Sequence, residues 1–374
     1  MRTDICQLLD IEIPLLAFSH CRDVVVEVSK AGGFGVLGGS SFAPEDLERE
    51  LAWIDANING MPYGVDVVLP EKIGEEMAVD DATLLAMVPA EHRAFVEGVL
   101  AEHGVDLPAD GIVGTFGAGV TGDIGERLLD VILKHPVKLV ANALGVPPAY
   151  VVDRAHAHNI PVAALVGAKE HAIRQVEAGV DVVVVQGTEA GGHCGEVTTM
   201  VLVPEVVRAL RAQGHDVPVL AAGGIVTGEQ MAAAVALGAS GAWTGSVWLT
   251  THEAETAPWT VEKMLRATSR DTVRSRARTG KPSRQLRTSW HEAWEREDAP
   301  APLPMPLQSW VSETGLRHVD KLAESGHEGA RDLATYWVGQ GVGLMDRRKS
   351  SRDVVIEMAT AYVEATQRLA GTVE

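Results

Sequence analysis

Residues able to do chemistry are concentrated in one stretch, 180–196. Gln186, Glu189, His193 and Cys194 stand there among Gly187, Gly191, Gly192 and Gly195. An imidazole is the side chain suited to moving protons near neutral pH. Glycines let a backbone approach a ligand closely and supply no competing functional group. Cys194 beside His193 does not make a nucleophile–base pair, because neighbours on a chain seldom face each other and such partners usually come from distant segments. Glu189, His193 and Cys194 also lack the spacing of a metal-ligand set, so no metal is expected. His193 is therefore the candidate catalytic residue. Asp181 and four valines, Val182 to Val185, precede this loop. Consecutive β-branched residues are strand formers, and an apolar run without alternation predicts a strand covered on both faces, as in a parallel sheet.

Two further strand ends carry glycine. Val219-Leu220-Ala221-Ala222 runs into Gly223-Gly224, and Ala242-Trp243-Thr244 into Gly245-Ser246. In a (β/α)8 barrel, the loops after strands seven and eight make a phosphate site from backbone N–H groups and a helix N-terminus. Gly223, Gly224, Trp243, Thr244, Gly245 and Ser246, the last with its hydroxyl, are thus candidate phosphate binders. The segment Gly33-Phe34-Gly35-Val36-Leu37-Gly38 fits G-x-G-x-x-G, but a helix precedes it and its glycines straddle a short strand. A dinucleotide fingerprint needs the reverse order, so this segment reads as a packed strand.

The elements that must position these residues follow a βα rhythm. Apolar, β-rich runs fall at 14–18, 34–37, 63–68, 137–141, 161–166, 181–186, 217–222 and 241–245. Helical periodicity lies between them, at 22–31, 44–57, 148–159, 169–178, 204–213 and 228–237, the last opened by a Thr227–Gln230 capping box. Eight strands in this order predict an α/β fold, a closed (β/α)8 or TIM barrel over residues 1–250. The stretch 69–125 is too long for one connection and reads as an insertion roofing the active-site end, with a helix at 90–103 and a glycine-rich loop at 111–125. From 251 to 374 the strands stop, and a mainly helical cap is expected to pack back on the barrel. Trp290, Trp294, Trp310 and Trp337 are read as packing that cap, with one or two free to line a pocket.

Composition narrows the functional classes. The 374 residues are 46% hydrophobic, enough for a large core, and carry 32 Lys and Arg against 51 Asp and Glu, a net charge of −19. An acidic chain argues against nucleic acid and anionic membranes as partners. Three cysteines make no disulfide framework and point to a reducing, cytoplasmic setting. The first residues hold Asp4, Asp10 and Glu12 among apolar ones, which fits neither a signal peptide nor a spanning segment.

The loop Gln186-Gly187-Thr188-Glu189-Ala190-Gly191-Gly192-His193 resembles the signature of the nitronate monooxygenases, once called 2-nitropropane dioxygenases. These resemble in turn the FMN-dependent enoyl-acyl-carrier-protein reductases. Residues 31–39, 279–287 and 337–344 are similar to the family as well, and the resemblance covers 5–64 and 137–344. It implies a TIM barrel, FMN as cofactor, a small-molecule substrate with O2 as electron acceptor, and His193 over the flavin. By resemblance Gln186, Gly191, Gly192, Gly224 and the 243–246 backbone fall at flavin-binding positions. Ala17-Phe18-Ser19 stands where the family has Ala-Pro-Met beneath the flavin, and Asp66 where an asparagine commonly contacts it. Lys138 matches a position that is often basic in the family, and Cys194 one that is often arginine. The implied reaction is oxidation of alkyl nitronates. Two rivals stay open: an NAD(P)H-dependent enoyl-thioester reductase on the same fold, and a flavin-free barrel lyase or isomerase binding a phosphorylated ligand. The sequence is compatible with a homodimer but does not specify one.

Overall fold

The structure, a computed structural model, describes residues 2–69, 81–106 and 122–373. Eight parallel strands close into a barrel: β1 (Leu15–Ser19), β2 (Phe34–Gly38), β3 (Tyr63–Val67), β4 (Leu139–Asn142), β5 (Val162–Val166), β6 (Val182–Gln186), β8 (Val219–Ala222) and β9 (Gly241–Thr244). Pairing of β9 with β1, at Leu15–Ala242 and Leu16–Trp243, closes the ring. All eight predicted strands are present within two residues of their expected ends, and the fold is the TIM barrel.

The valine run shows why β6 lacks alternation. Val182 and Val184 face the barrel interior with Leu16, Phe34, Leu139, Leu220 and Trp243. Val183 and Val185 face outward onto Leu202, Val206 and Val219. All four valines are fully buried, and each burial stabilises by about 1.5–3 kcal/mol. The same two-residue period applies on every strand, and it decides which side chains can reach the barrel mouth.

Three expectations need correction. The helix expected at 204–213 runs Thr199–Ala212, with Pro204 inside it. Proline favours the first helical position, but here the first turn is secured five residues earlier by the carboxylate of Glu189, which accepts the Thr199 N–H. Residues 122–125, placed in a glycine-rich loop, open the helix Gly122–Ile132. This helix packs on β3 and on the helix Pro44–Asn57, so it is the barrel helix following β3. The rest of that loop, 111–121, lies outside the described residues. Strands also continue after Thr250: β10 (Thr272–Ser275) and β11 (Ser283–Leu286) pair antiparallel, and β11 pairs with the two-residue β7 (Gly192–His193).

The helix Ala90–Glu102, inside the stretch read as an insertion, shares an apolar core with the C-terminal segment: Val96, Val99 and Leu100 pack with Trp290, Trp294, Trp310 and Val319. The terminal helix Ser351–Ala370 lies across Gly228–Ala236, so close that a Cβ on Gly228 would sit 2.0 Å from the Met358 carbonyl. Among the described residues no helix is long and apolar enough to cross a membrane.

Candidate active site

The loops at the C-terminal ends of β6, β8 and β9 meet at one mouth of the barrel. Strand pairing puts them side by side: Gln186 stands opposite Ala222, and Ala222 opposite Trp243. The loop after β6 is pinned at its base, where the Gly187 N–H donates to the Ala222 carbonyl at 3.0 Å. Glu189 turns away from the mouth. Its carboxylate accepts from the Thr199 N–H at 2.9 Å and the Thr199 hydroxyl at 3.0 Å, capping the next helix. The carboxylate of this loop is thereby committed to structure, and the imidazole remains.

His193 is solvent-accessible at the rim. Its Nδ1 lies 3.3 Å from the Pro282 carbonyl. That oxygen can only accept, so Nδ1 carries the proton and Nε2 keeps its lone pair. Burial in surrounding protein lowers the pKa of His193 below the usual histidine value; the Pro282 hydrogen bond opposes this, and nearby Lys281 adds a smaller lowering. The neutral form of the ring is thereby favoured, with Nε2 available as a base. Cys194 is not activated: desolvation is the largest influence on its thiol and raises its pKa, and Sγ donates to the Thr188 carbonyl at 3.5 Å.

The β8 loop is built as a tight turn. Gly223 and Gly224 take φ of +108° and +72°, left-handed values that side chains with a Cβ rarely adopt. Gln230 holds this turn by donating from Nε2 to the Gly224 carbonyl at 2.9 Å while its Oε1 accepts from Val226 N–H. The Thr227–Gln230 capping box is present, so the helix Gly228–Ala236 starts beside the turn. After β9, a Cβ on Gly245 would meet nothing within 4 Å. The backbone there borders open space beside a helix N-terminus and a glycine turn, which is the shape a phosphate requires. Ser246 Oγ accepts from the Gly339 N–H at 2.8 Å, leaving the hydroxyl proton as a donor.

The predicted site residues divide by strand face. Phe18, Asp66, Gln186 and Trp243 share the inward parity of Leu16, Gly64, Val184 and Gly241, so their side chains face the barrel interior at the mouth. Phe18 and Trp243 stack at 6.4 Å between ring centroids. Ala17 and Thr244 face the other way. Ala17 packs in the outer layer with Val24 and Val28, and Thr244 Oγ1 donates to the Leu16 carbonyl. Only their backbones remain for a ligand. Ser19 Oγ accepts from the Cys21 N–H at 3.1 Å. Lys138 is a correction. It precedes Leu139, the first residue of β4, and its N–H pairs with the Tyr63 carbonyl. It lies at the opposite mouth, about 13 Å along the strand from Asn142, so it does not join the other candidates.

Asp66 has the most unusual surroundings. It is 4% exposed, and its Oδ1 has no hydrogen-bond partner among the described residues. Burial alone pushes its pKa up to about 7.

Residues from the C-terminal third complete the loop around His193, and the sequence alone did not place them here. Ser283 and Arg284 on β11 pair with His193 and Gly192. Gln340 N–H donates to the Glu189 carbonyl at 2.9 Å. A Cβ on Gly191 would come within 2.8–2.9 Å of the Val338–Gly339 backbone. Trp337 Cδ1 would be 3.9 Å from a Cβ on Gly192, and the Arg278 guanidinium covers the Trp337 ring at 3.7 Å. His20, just past β1, also stands at the mouth. Its Nδ1 is 3.2 Å from the Gly38 carbonyl and its ring meets Phe18 edge-on at 5.1 Å. Trp290, Trp294 and Trp310 are buried in the core shared with Ala90–Glu102 and do not reach the mouth. The hollow lined by Thr227, Glu229, Arg347, Lys349 and Glu357 lies outside the barrel, between Gly228–Ala236 and the terminal helix, and none of the mouth residues lines it. Among the described residues no group of three or more His, Cys, Asp or Glu could hold a metal.

The family model described as nitronate monooxygenase matches residues 15–361. The chain is 51% identical over 379 residues to a Mycobacterium tuberculosis protein provisionally described as a monooxygenase, covering 100% of both. It is 26% identical over 361 residues to a Staphylococcus saprophyticus protein described as a probable nitronate monooxygenase, covering 92% of this chain and 93% of that one. Among solved structures, FabK from Thermotoga maritima superposes with a TM-score of 0.72 at 27% identity, covering 100% of this chain and 99% of that one. A nitroalkane oxidase from Streptomyces ansochromogenes reaches a TM-score of 0.79 at 24% identity, covering 98% and 99%, a likeness of fold.

Proposed function

Because the chain belongs to the nitronate monooxygenase family and is an oxidoreductase, we propose that it binds FMN at the barrel mouth and oxidises alkyl nitronates with O2 as electron acceptor. The observation that carries this reading is His193, its Nδ1 turned to the Pro282 carbonyl, on the same mouth as a glycine cradle suited to a phosphate. The residues present fit such a cofactor. The Gly223–Gly224 turn and the open space at Gly245 would take its phosphate, and Phe18, Asp66, Gln186 and Trp243 would form the floor beneath its ring. When bound, the flavin supplies the electron transfer that no side chain of this chain can provide.

The chain's own contribution is binding and proton handling. His193 Nε2 would hold the nitro oxygens, or take the carbon-bound proton when a neutral nitroalkane enters. Its lowered pKa keeps the lone pair available at neutral pH. The segment 337–341 would limit solvent access from one side, since it is seated on the β6 loop. Residues 69–125 would roof the other side, though 70–80 and 107–121 lie outside the described residues. We read 1–250 as the barrel unit and 251–374 as its cap, and a homodimer and a cytoplasmic site as compatible with both.

A second reading on the same fold is an enoyl-thioester reductase, for which the likeness to FabK is the supporting observation. One anaerobic experiment separates the readings. Propionate 3-nitronate is mixed with the purified protein in one cuvette, and NADH or NADPH in another. Bleaching of the flavin by the nitronate alone supports the proposed function, and bleaching by the nicotinamide alone supports the reductase. A colourless protein that takes up no flavin would leave the third reading, a flavin-free lyase or isomerase.

A further inference from the structure

Asp66 sits on β3 between Gly38 of β2 and Ala141 of β4. Its inward orientation follows from Gly64, two residues earlier, whose missing side chain is replaced by Phe34 and Leu139 of the interior core. Gly38 and Ala141 have no side-chain polar atom to offer. Oδ1 has no partner among the described residues, and the residue is almost fully buried. A buried carboxylate with neither a cation nor donors is held mainly by giving up its charge. The protonated acid then has an oxygen, Oδ1, with no hydrogen-bond partner among the described residues, and it faces the mouth where the loops of His193, Gly224 and Gly245 converge.

We propose that Asp66 is held as the neutral acid and donates a hydrogen bond to an acceptor on the ring of the bound flavin, so that cofactor affinity falls in alkaline solution. This rests on the flavin reading of the site. Among the described residues, the titratable groups that follow the neighbouring strands include His20 past β1, and Glu189, His193, Cys194 and Glu196 after β6. Lys138, on β4's approach, is at the far mouth. None of them contributes to the raised pKa of Asp66, which burial alone causes. The sign follows. Below pH 7 the acid is neutral and ready to donate. Above it the free protein ionises, and binding must first restore the proton, so the dissociation constant rises about tenfold per pH unit until the acid ionises in the complex too.

The test is a titration of apoprotein with FMN between pH 6 and 9, followed by quenching of flavin fluorescence. Wild type should weaken by about tenfold or more across this range. Asp66→Asn keeps a donor without a titratable proton, so it should bind FMN with a flat profile above pH 7. Asp66→Leu should bind weakly at every pH, also flat. A flat wild-type profile, or the same slope in Asp66→Asn, overturns the proposal while leaving the flavin site standing. Absence of FMN binding by wild type at any pH overturns the flavin reading and this proposal with it.

Discussion

The open backbone at Gly245 offers a clean test of where the phosphate sits. Gly224 is a poorer place to probe. Its φ of +72° would strain any replacement, and a Cβ there would lie 3.0 Å from Glu189 Cβ. Loss of cofactor in such a variant could follow from a distorted turn. Gly245 has a negative φ of −130°, and a Cβ would meet nothing within 4 Å. Gly245→Asp should therefore change folding stability by no more than about 0.5 kcal/mol, the range for substitutions that touch nothing. Its effect on a bound dianion is different. A carboxylate about 5 Å from a charge of about −2 is repelled by roughly 332 × 2/(20 × 5), or about 7 kcal/mol, at the effective dielectric of a protein surface. Solvent and salt at the rim reduce this to a few kcal/mol, and about 3 kcal/mol is a factor of roughly 10² in the dissociation constant. Gly245→Ala, with no charge, should lose much less. The assay is FMN content on purification and FMN affinity by fluorescence quenching, with thermal melts of the apoproteins as the control. Wild-type occupancy and affinity in Gly245→Asp would refute the placement of the phosphate.

Other outcomes follow from single contacts. His193→Ala should keep its FMN and lose about 10²–10⁴-fold in turnover, more for a neutral nitroalkane than for a nitronate; wild-type rates for both would make His193 structural. Glu189→Ala removes three hydrogen bonds from Thr199 and should destabilise the fold by about 1–3 kcal/mol in urea melts, whereas a direct role for Glu189 at the substrate would lower rate without changing stability. His291 is fully buried, and burial is the largest of the effects that press its pKa down to about 3. The unfolded chain takes up this proton below about pH 6.5 and the folded one only near pH 3, so wild-type stability should fall by about 1.4 kcal/mol per pH unit as acid is added through that window. Acid melts of His291→Gln should show a shallower fall; an unchanged slope would mean that other groups govern the acid limb.

The barrel was legible because its signals are local. Runs such as Val182–Val185 and Val219–Ala222, closed by glycines, fix strand positions from a few residues each. The first turn of Thr199–Ala212 escaped notice because its N–H is capped from ten residues upstream by Glu189, outside the usual N-cap position. The helix Gly122–Ile132 was hidden by its own glycines. Gly125 lies close to Leu69, where a Cβ would come 2.8 Å from Cδ2, and a long-range packing contact of that kind has no local signature. Lys138 was misplaced for a simpler reason. Its place at the start of the 137–141 run already put it at the end of the strand away from the loops of β6, β8 and β9, and a likeness of residue type does not outweigh that geometry.

The strand pairing at His193 explains why the rest of the site was not legible. A two-residue strand has almost no propensity of its own, and β7 forms because β11, some ninety positions later, supplies its partner. Long-range pairing of this kind depends on closing the whole intervening chain, so nothing near Gly192 predicts it. The glycines on either side have the complementary role. Gly191 and Gly339 each lack a Cβ that would strike the other's segment, which allows 337–341 to lie directly on the β6 loop. The segment after Trp337 therefore lies at the mouth beside His193, even though it belongs to the C-terminal third of the chain. It brings Trp337 beside Gly192, with Arg278 stacked on the ring. A cation over an indole fixes the ring's orientation. The wall beside His193 is thus an aromatic surface set by residues outside the barrel strands, and on the proposed function changes at Trp337 and Arg278 would alter which substrates reach the imidazole while leaving the barrel strands untouched.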